Sequence, residues 1–180
     1  MIDSGIPDTA PVFGGVRGRT LSSKHVKYAW SIIAEAGVKT IIDLRNLDSS
    51  SRLVEYCEQY GMEFFHYPVD KKKLNTKVMV ELLPRFCELI ERGDFYIACA
   101  MGLHRTDIAL CVYWVFCGAD KGLDAPDLRG YTEESGHDTN NIMQVLNAMY
   151  SYMTERDGKE PVPEEIFKER KKTINEMSKI

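Results

Sequence analysis

Two apolar runs of different character flank one short loop, and that arrangement constrains the fold of this chain more than any other feature. Asp94-Phe95-Tyr96-Ile97-Ala98 is short and apolar, as a buried strand is, and Thr106 to Cys117 is apolar nearly all round, as a buried helix is. Between them runs Cys99-Ala100-Met101-Gly102-Leu103-His104-Arg105. A strand delivered straight into a helix is the repeating unit of α/β proteins, and the connecting loop leaves the carboxyl end of its strand.

The residues of this loop suit an anion. Backbone N–H groups of Ala100, Met101, Gly102, Leu103, His104 and Arg105, curled at a helix N-terminus, would converge on one phosphate and add the positive end of the helix dipole. Arg105 can bind two phosphate oxygens as a planar fork, and Gly102 permits a tight turn. Loops of this kind lower a cysteine pKa from about 8.5 to somewhere in roughly 3.5–7.5, so Cys99 is expected to be a nucleophilic thiolate.

Cys99-x5-Arg105 followed by Thr106, between a strand and a buried helix, resembles the signature of the cysteine-dependent protein tyrosine phosphatases, most closely their compact dual-specificity branch. Gly37-Val38-Lys39-Thr40-Ile41-Ile42-Asp43-Leu44-Arg45 is similar to the family's second strand. Phe64-Phe65-His66-Tyr67-Pro68-Val69-Asp70 is similar to the strand and loop that bring in its general acid. The resemblance spans Pro11 to Cys117. It implies that Cys99 attacks phosphorus, and that Asp70 protonates the leaving oxygen and then activates the hydrolytic water. It further implies that the Thr106 hydroxyl bonds the thiol and assists breakdown of the phospho-enzyme. Asp43, at the end of a strand, is a weaker candidate for the acid and better suited to a structural hydrogen bond.

Two positions depart from the family pattern. Ala98 stands where a histidine usually precedes the nucleophile, which removes a polar group that organises the loop. Asp107 stands where a glycine usually follows the Ser/Thr. Its carboxylate either opposes the bound anion or, in the first turn of its helix, suits the dipole and points to solvent. A protein that binds phosphorylated groups without turning them over is therefore one alternative. His104 is either a substrate-facing donor or an exposed side chain of the turn. His-Arg-Thr at the end of the loop, with Lys71, Lys72 and Lys73 beside Asp70 as candidate substrate contacts, gives a second alternative: an inositol polyphosphate or phosphoinositide phosphatase. A lysine run is also what an ordinary solvated face contains. A sulfur-transfer enzyme of the rhodanese type ranks last, because it requires neither Arg105 nor Asp70.

Net charge and cysteine usage narrow the partners. A formal charge of −4 over 180 residues argues against general nucleic-acid binding, so phosphate recognition must be local. The partner expected is a phosphorylated protein or a small phosphorylated molecule. No run is long and apolar enough to span a membrane, and Met1 to Ala10 lacks the features of a secretory signal, so a cytoplasmic location is expected. The five cysteines show no zinc-ligand spacing, and neither a metal nor another cofactor is expected. Cys111 and Cys117 would lie about 9 Å apart along one helix, too far to bridge each other.

Periodicity supplies the remaining elements. Val12 to Arg17 reads as an edge strand, with Arg17 and Arg19 as candidates to border the site, and Ser22 to Ala36 as a helix presenting Val26, Trp30, Ile33 and Ala34. Val38 to Leu44 is a strand, Ser49 to Tyr60 a helix, Met62 to Tyr67 a strand and Thr76 to Arg92 a helix. Ala119 to Asp138 reads as a long loop. Thr139 to Met153 is a helix with an apolar line of Ile142, Val145, Leu146, Met149 and Met153, and Glu164 to Met177 is a charged helix with Ile166, Phe167, Ile174 and Met177 as a thin apolar line. The fold class is therefore α/β, with a central, mostly parallel sheet flanked by helices and a helical C-terminal part. The expected organisation is a catalytic domain over residues 1–156, with residues 157–180 forming a charged helix docked on it.

Overall fold

The computed structural model describes residues 9–21, 28–46, 51–71 and 74–180. Val26, Lys72 and Lys73 lie outside the described residues. In chain order the elements are β1 (Ala10–Val12), β2 (Gly15–Arg19), α1 (Ala29–Glu35), β3 (Thr40–Asp43), α2 (Ser51–Tyr60), β4 (Glu63–His66), α3 (Thr76–Arg92), β5 (Phe95–Cys99), α4 (His104–Tyr113), α5 (Asn140–Asp157) and α6 (Glu164–Met177). The chain divides into two compact units, Met1–Pro68 with Arg85–Gly102 and Val69–Pro84 with Leu103–Ile180.

The first unit holds a five-stranded sheet in the order β1-β2-β5-β3-β4, antiparallel only between β1 and β2. The stretch read as one edge strand from Val12 to Arg17 is thus the turn of a hairpin. Phe13 takes a left-handed conformation (φ 47°) ahead of Gly14, and the chain reverses there, so that Val12 pairs with Gly15. Parallel pairing brings the carboxyl ends of β2, β5, β3 and β4 to one edge, where Arg19 lies opposite Cys99, Ala98 opposite Asp43, and Asp43 opposite His66.

β3 and β5 are buried at every position, as strands in the middle of a covered sheet must be. Trp30 and Ile33 of α1 and Leu53 and Cys57 of α2 form one cluster with Ile41 and Tyr96. The Trp30 ring stacks on Tyr56 at 5.2 Å and donates its N–H to the Leu21 carbonyl, so its polar edge is satisfied while its face is buried. Cys57 is sealed in that cluster, and burial pushes its thiol up to about 12. Elsewhere in the unit Tyr67 stacks on Phe86 at 4.3 Å, with both rings fully buried.

The second unit is helical. The run expected to be one helix from Thr106 to Cys117 starts two residues earlier, at His104, and continues as α-helix only to Tyr113. It then widens into a π turn over Trp114–Gly118 and tightens into a 3₁₀ turn over Ala119–Lys121, so the first residues expected to be loop are helical. Side chains take up the altered backbone pattern. Arg170 donates to the Val115 carbonyl at 2.6 Å and also pairs with Asp120, while Trp114 donates to the Leu123 carbonyl at 2.7 Å.

The five apolar residues expected to line α5 are all buried. On α6 the buried line is Phe167, Arg170 and Ile174, and Ile166 is exposed instead. Positions 167, 170 and 174 share one helix face, and the arginine occupies it because its guanidinium is needed at the π turn. Phe167 stacks on Tyr150 at 4.1 Å, and the Tyr150 hydroxyl donates to the Val162 carbonyl. No helix among the described residues is long and apolar enough to cross a membrane.

Candidate active site

Cys99 is the last residue of β5, a buried and reduced thiol at the carboxyl edge of the sheet. Its carbonyl accepts the Thr20 N–H at 3.0 Å, which carries the β2–β5 pairing one step past the strand end. Two residues on from the exposed Ala100, Gly102 takes φ +73° and lies against β2. A Cβ there would fall 2.6 Å from the Gly18 carbonyl carbon and oxygen, so only glycine fits both the conformation and the space. Arg17 is 2% exposed and donates from Nη2 to the Gly102 carbonyl at 3.0 Å. It therefore underlies the nucleophile loop instead of bordering its mouth.

Asp43 ends β3 on the same edge with its carboxylate gripped by Arg45. Nε donates to Oδ1 at 3.0 Å and Nη2 to Oδ2 at 3.2 Å, and the Arg45 backbone N–H also reaches Oδ1. This is the structural hydrogen-bonding role expected of it. His66, the last residue of β4, contacts the Arg45 carbonyl.

The rest of the loop opens the second unit. Leu103 is the N-cap of α4, and a leucine offers no side-chain acceptor to the N–H groups of the first helical turn. The first intrahelical bond runs from the Asp107 N–H to the Leu103 carbonyl at 2.9 Å. His104 and Arg105 are half-buried and Thr106 is fully buried, while Met101, in the first unit, is exposed.

Asp107 stands in the first turn of α4, as expected, but it does not point to solvent. It is fully buried, and its carboxylate is occupied by the backbone of a distant segment. Oδ2 accepts the N–H groups of Arg129 at 3.0 Å, Gly130 at 2.7 Å and Tyr131 at 3.1 Å, and Oδ1 also accepts that of Arg129. Gly130 is pressed against the loop end, where a Cβ would meet the His104 nitrogen at 2.9 Å and the Leu103 carbonyl carbon at 3.0 Å. Residues 129–131 are thereby strapped to the start of α4.

His104 is half-buried, so it is not the exposed side chain of a turn. Its ring lies edge-on to Tyr131 at 5.1 Å and to His137 at 4.8 Å, and its Nε2 is buried without a hydrogen-bond partner. Burial holds its pKa below the ordinary 6.5, helped by the charges of Lys71 and His137 and opposed by Asp107 and the Gly130 carbonyl. Asp70 follows β4 by four residues; it and Lys71 are half-buried, next to a fully buried Val69. Cys99 thus belongs to the first unit, and Asp70, Arg105 and Thr106 to the second.

Sequence reasoning missed residues 129–131 and His137. Asp107 and residues 129–131 are more than twenty positions apart, with no periodicity to link them, and His137 gave no signal. The role of Arg17 had one available clue, a charge in a strand that pairs with a fully apolar run.

A buried cysteine closing the central strand of a mostly parallel sheet, with an arginine in the first turn of the next helix, defines a class by shape. The chain has the fold of the cysteine-dependent protein tyrosine phosphatases, in the compact form of the dual-specificity branch. No protein-family model and no curated protein sequence matches it, but 32 solved chains match its structure. A phosphatase candidate from Shewanella putrefaciens is 17% identical over 97% of this chain and 90% of that one, with a TM-score of 0.52. TpbA of P. aeruginosa is 12% identical over 78% of this chain and 81% of that one, with a TM-score of 0.50, and has also been solved in complex with pTyr. Kinase associated phosphatase, solved with its catalytic site cysteine replaced by serine, is 15% identical over 72% of this chain and 76% of that one, with a TM-score of 0.51.

Proposed function

We propose that this protein is a phosphomonoester hydrolase working through a cysteinyl-phosphate intermediate. The observation that carries the reading is the sequence of parts along one stretch of chain: a buried thiol ending the central strand, a glycine turn, and an arginine in the uncapped first turn of α4. The Cys99 thiolate attacks phosphorus, the bond to the leaving oxygen breaks, and Asp70 gives that oxygen its proton. Water then attacks phosphorus, Asp70 takes the water proton, and the S–P bond breaks to release inorganic phosphate. Loop amides of residues 100–105 and the Arg105 fork bind the phosphoryl oxygens and stabilise the charge that spreads over them in each transition state. The buried Thr106 hydroxyl donates to the departing thiolate.

The substrate is a phosphotyrosine-type protein residue or a small phosphorylated molecule, with Lys71, Lys72 and Lys73 as contacts for the rest of it. Residues 1–156 carry the reaction and residues 157–180 support them. Hydrolysis of para-nitrophenyl phosphate without added metal tests the reading. Turnover should vanish in Cys99→Ser, and Asp70→Asn should lose about 10²–10⁴-fold together with the alkaline limb of the pH–rate profile. A wild type that binds vanadate but turns nothing over at any pH would instead make the protein a phosphate-binding module.

A further inference from the structure

We propose that Arg17 is a positioning residue for the nucleophile loop, aiming the Gly102–Leu103 peptide so that its N–H faces the bound anion. Arg17 sits in β2, one strand from Cys99, and is 2% exposed. Burying a guanidinium carries a desolvation cost that an apolar side chain of similar size avoids, so packing alone does not account for a cation there. What it does is donate to the Gly102 carbonyl at 3.0 Å.

The carbonyl of residue 102 and the N–H of residue 103 belong to one planar trans peptide and point in opposite directions. Pinning the oxygen toward Arg17 therefore turns the Leu103 N–H away from it. Without the pin this peptide is the easiest in the loop to rotate, because glycine tolerates either sign of φ. A flipped peptide would present a carbonyl oxygen to the phosphate in place of a donor. Ala98, immediately before the nucleophile, has no polar side-chain atom with which to hold the loop instead. The close seat of Gly102 on Gly18 fixes the position of this peptide, and Arg17 fixes its direction.

The inference deepens the phosphatase reading and rests on it, and Arg17→Met in the full chain tests it. Vanadate and orthophosphate affinity, measured by calorimetry, should fall at least ten-fold, and kcat/KM on para-nitrophenyl phosphate about a hundred-fold, in protein that still unfolds cooperatively. A residue with a packing role alone would lower the melting temperature and leave anion affinity of the folded protein unchanged, and that result overturns the proposal. Should Arg17→Met fail to fold, Arg17→Gln stays polar, but its side chain is two bonds shorter and does not bring a donor to the position of Nη2. At least five-fold weaker vanadate binding is expected of it, and wild-type affinity overturns the proposal. Alkylation of Cys99 by iodoacetamide at pH 7, followed by peptide mass spectrometry, requires no turnover and separates the two claims. A wild type without turnover overturns the phosphatase reading alone, whereas an Arg17→Met protein with unchanged alkylation rate and unchanged anion affinity overturns the role of Arg17 alone.

Discussion

The two stretches of chain that meet at the Gly102–Leu103 peptide are secured by buried charges of opposite sign. Cys99–Gly102 is held by donors from β2 and the residue that follows it: the Arg17 guanidinium on the Gly102 carbonyl and the Thr20 N–H on the Cys99 carbonyl. The start of α4 is held through an acceptor, the Asp107 carboxylate, which collects the N–H groups of residues 129–131. The difference follows from the backbone. A loop whose amides serve an anion turns its carbonyls the other way, and those need donors. A helix start has its own N–H groups directed outward, so the support beneath it is brought in by an acid. Each half borrows its anchor from a different neighbour, and the anchors can be broken one at a time.

Removing the acidic anchor should have the largest effect on stability. Asp107→Ala leaves three backbone N–H groups without their acceptor, and a loss of about 3–5 kcal/mol in urea unfolding is expected. A loss below about 1 kcal/mol would mean that water or another acceptor replaces the carboxylate, and that the strap does not depend on it. Gly102→Ala comes next, at about 3 kcal/mol, because it combines a strained φ with a backbone clash. It should also abolish anion binding, which Asp107→Ala need not do. Gly130→Ala tests the far end of the strap. Its Cβ would press on His104 without any φ penalty, and about 1 kcal/mol of destabilisation is expected.

The smallest effect concerns pH. His104 has a folded-state pKa held below 6.5, first by burial and then by Lys71 and His137, so below about pH 6.5 the unfolded chain binds more protons than the folded one. Stability contributed at this site is complete above that pH and declines as pH falls toward the folded pKa. His104→Gln should remove this decline, which pH-dependent melting from pH 7 to 5 would reveal. Asp107 opposes the shift, so an NMR titration of His104 in Asp107→Asn should move its midpoint lower still. Movement upward would show that the two groups do not interact as the structure indicates.

Much of the fold could be read from the sequence because it rests on local periodicity. Thr76–Arg92 and Glu164–Met177 have the bounds that their apolar spacing gave, and the buried strand expected over Asp94–Ala98 forms one residue on, at Phe95–Cys99. The hairpin at Phe13 was missed although Gly14-Gly15 is a turn signal, because Val12 and Val16 alternate well enough to pass for one strand. The π turn at Trp114 depends on Arg170, more than fifty residues later, and no local pattern announces that contact. At the candidate site, the order of Cys99 at a strand end and Arg105 and Thr106 at a helix start was legible because chain continuity sets it. Asp107 was misread because its partners are backbone atoms, which carry no sequence identity, and Arg17 because burial of a charge in a strand is a tertiary fact.

In the proposed reaction Cys99 carries the phosphoryl group in transit. Rapid acid quenching of the wild type with para-nitrophenyl phosphate, followed by peptide mass spectrometry, tests it directly. A phosphoryl adduct on the Cys99 peptide, absent in Cys99→Ser and accumulating when Asp70→Asn slows its hydrolysis, is the result expected. Turnover of para-nitrophenyl phosphate that persists in Cys99→Ser, with no adduct on Cys99 in the wild type, would contradict it.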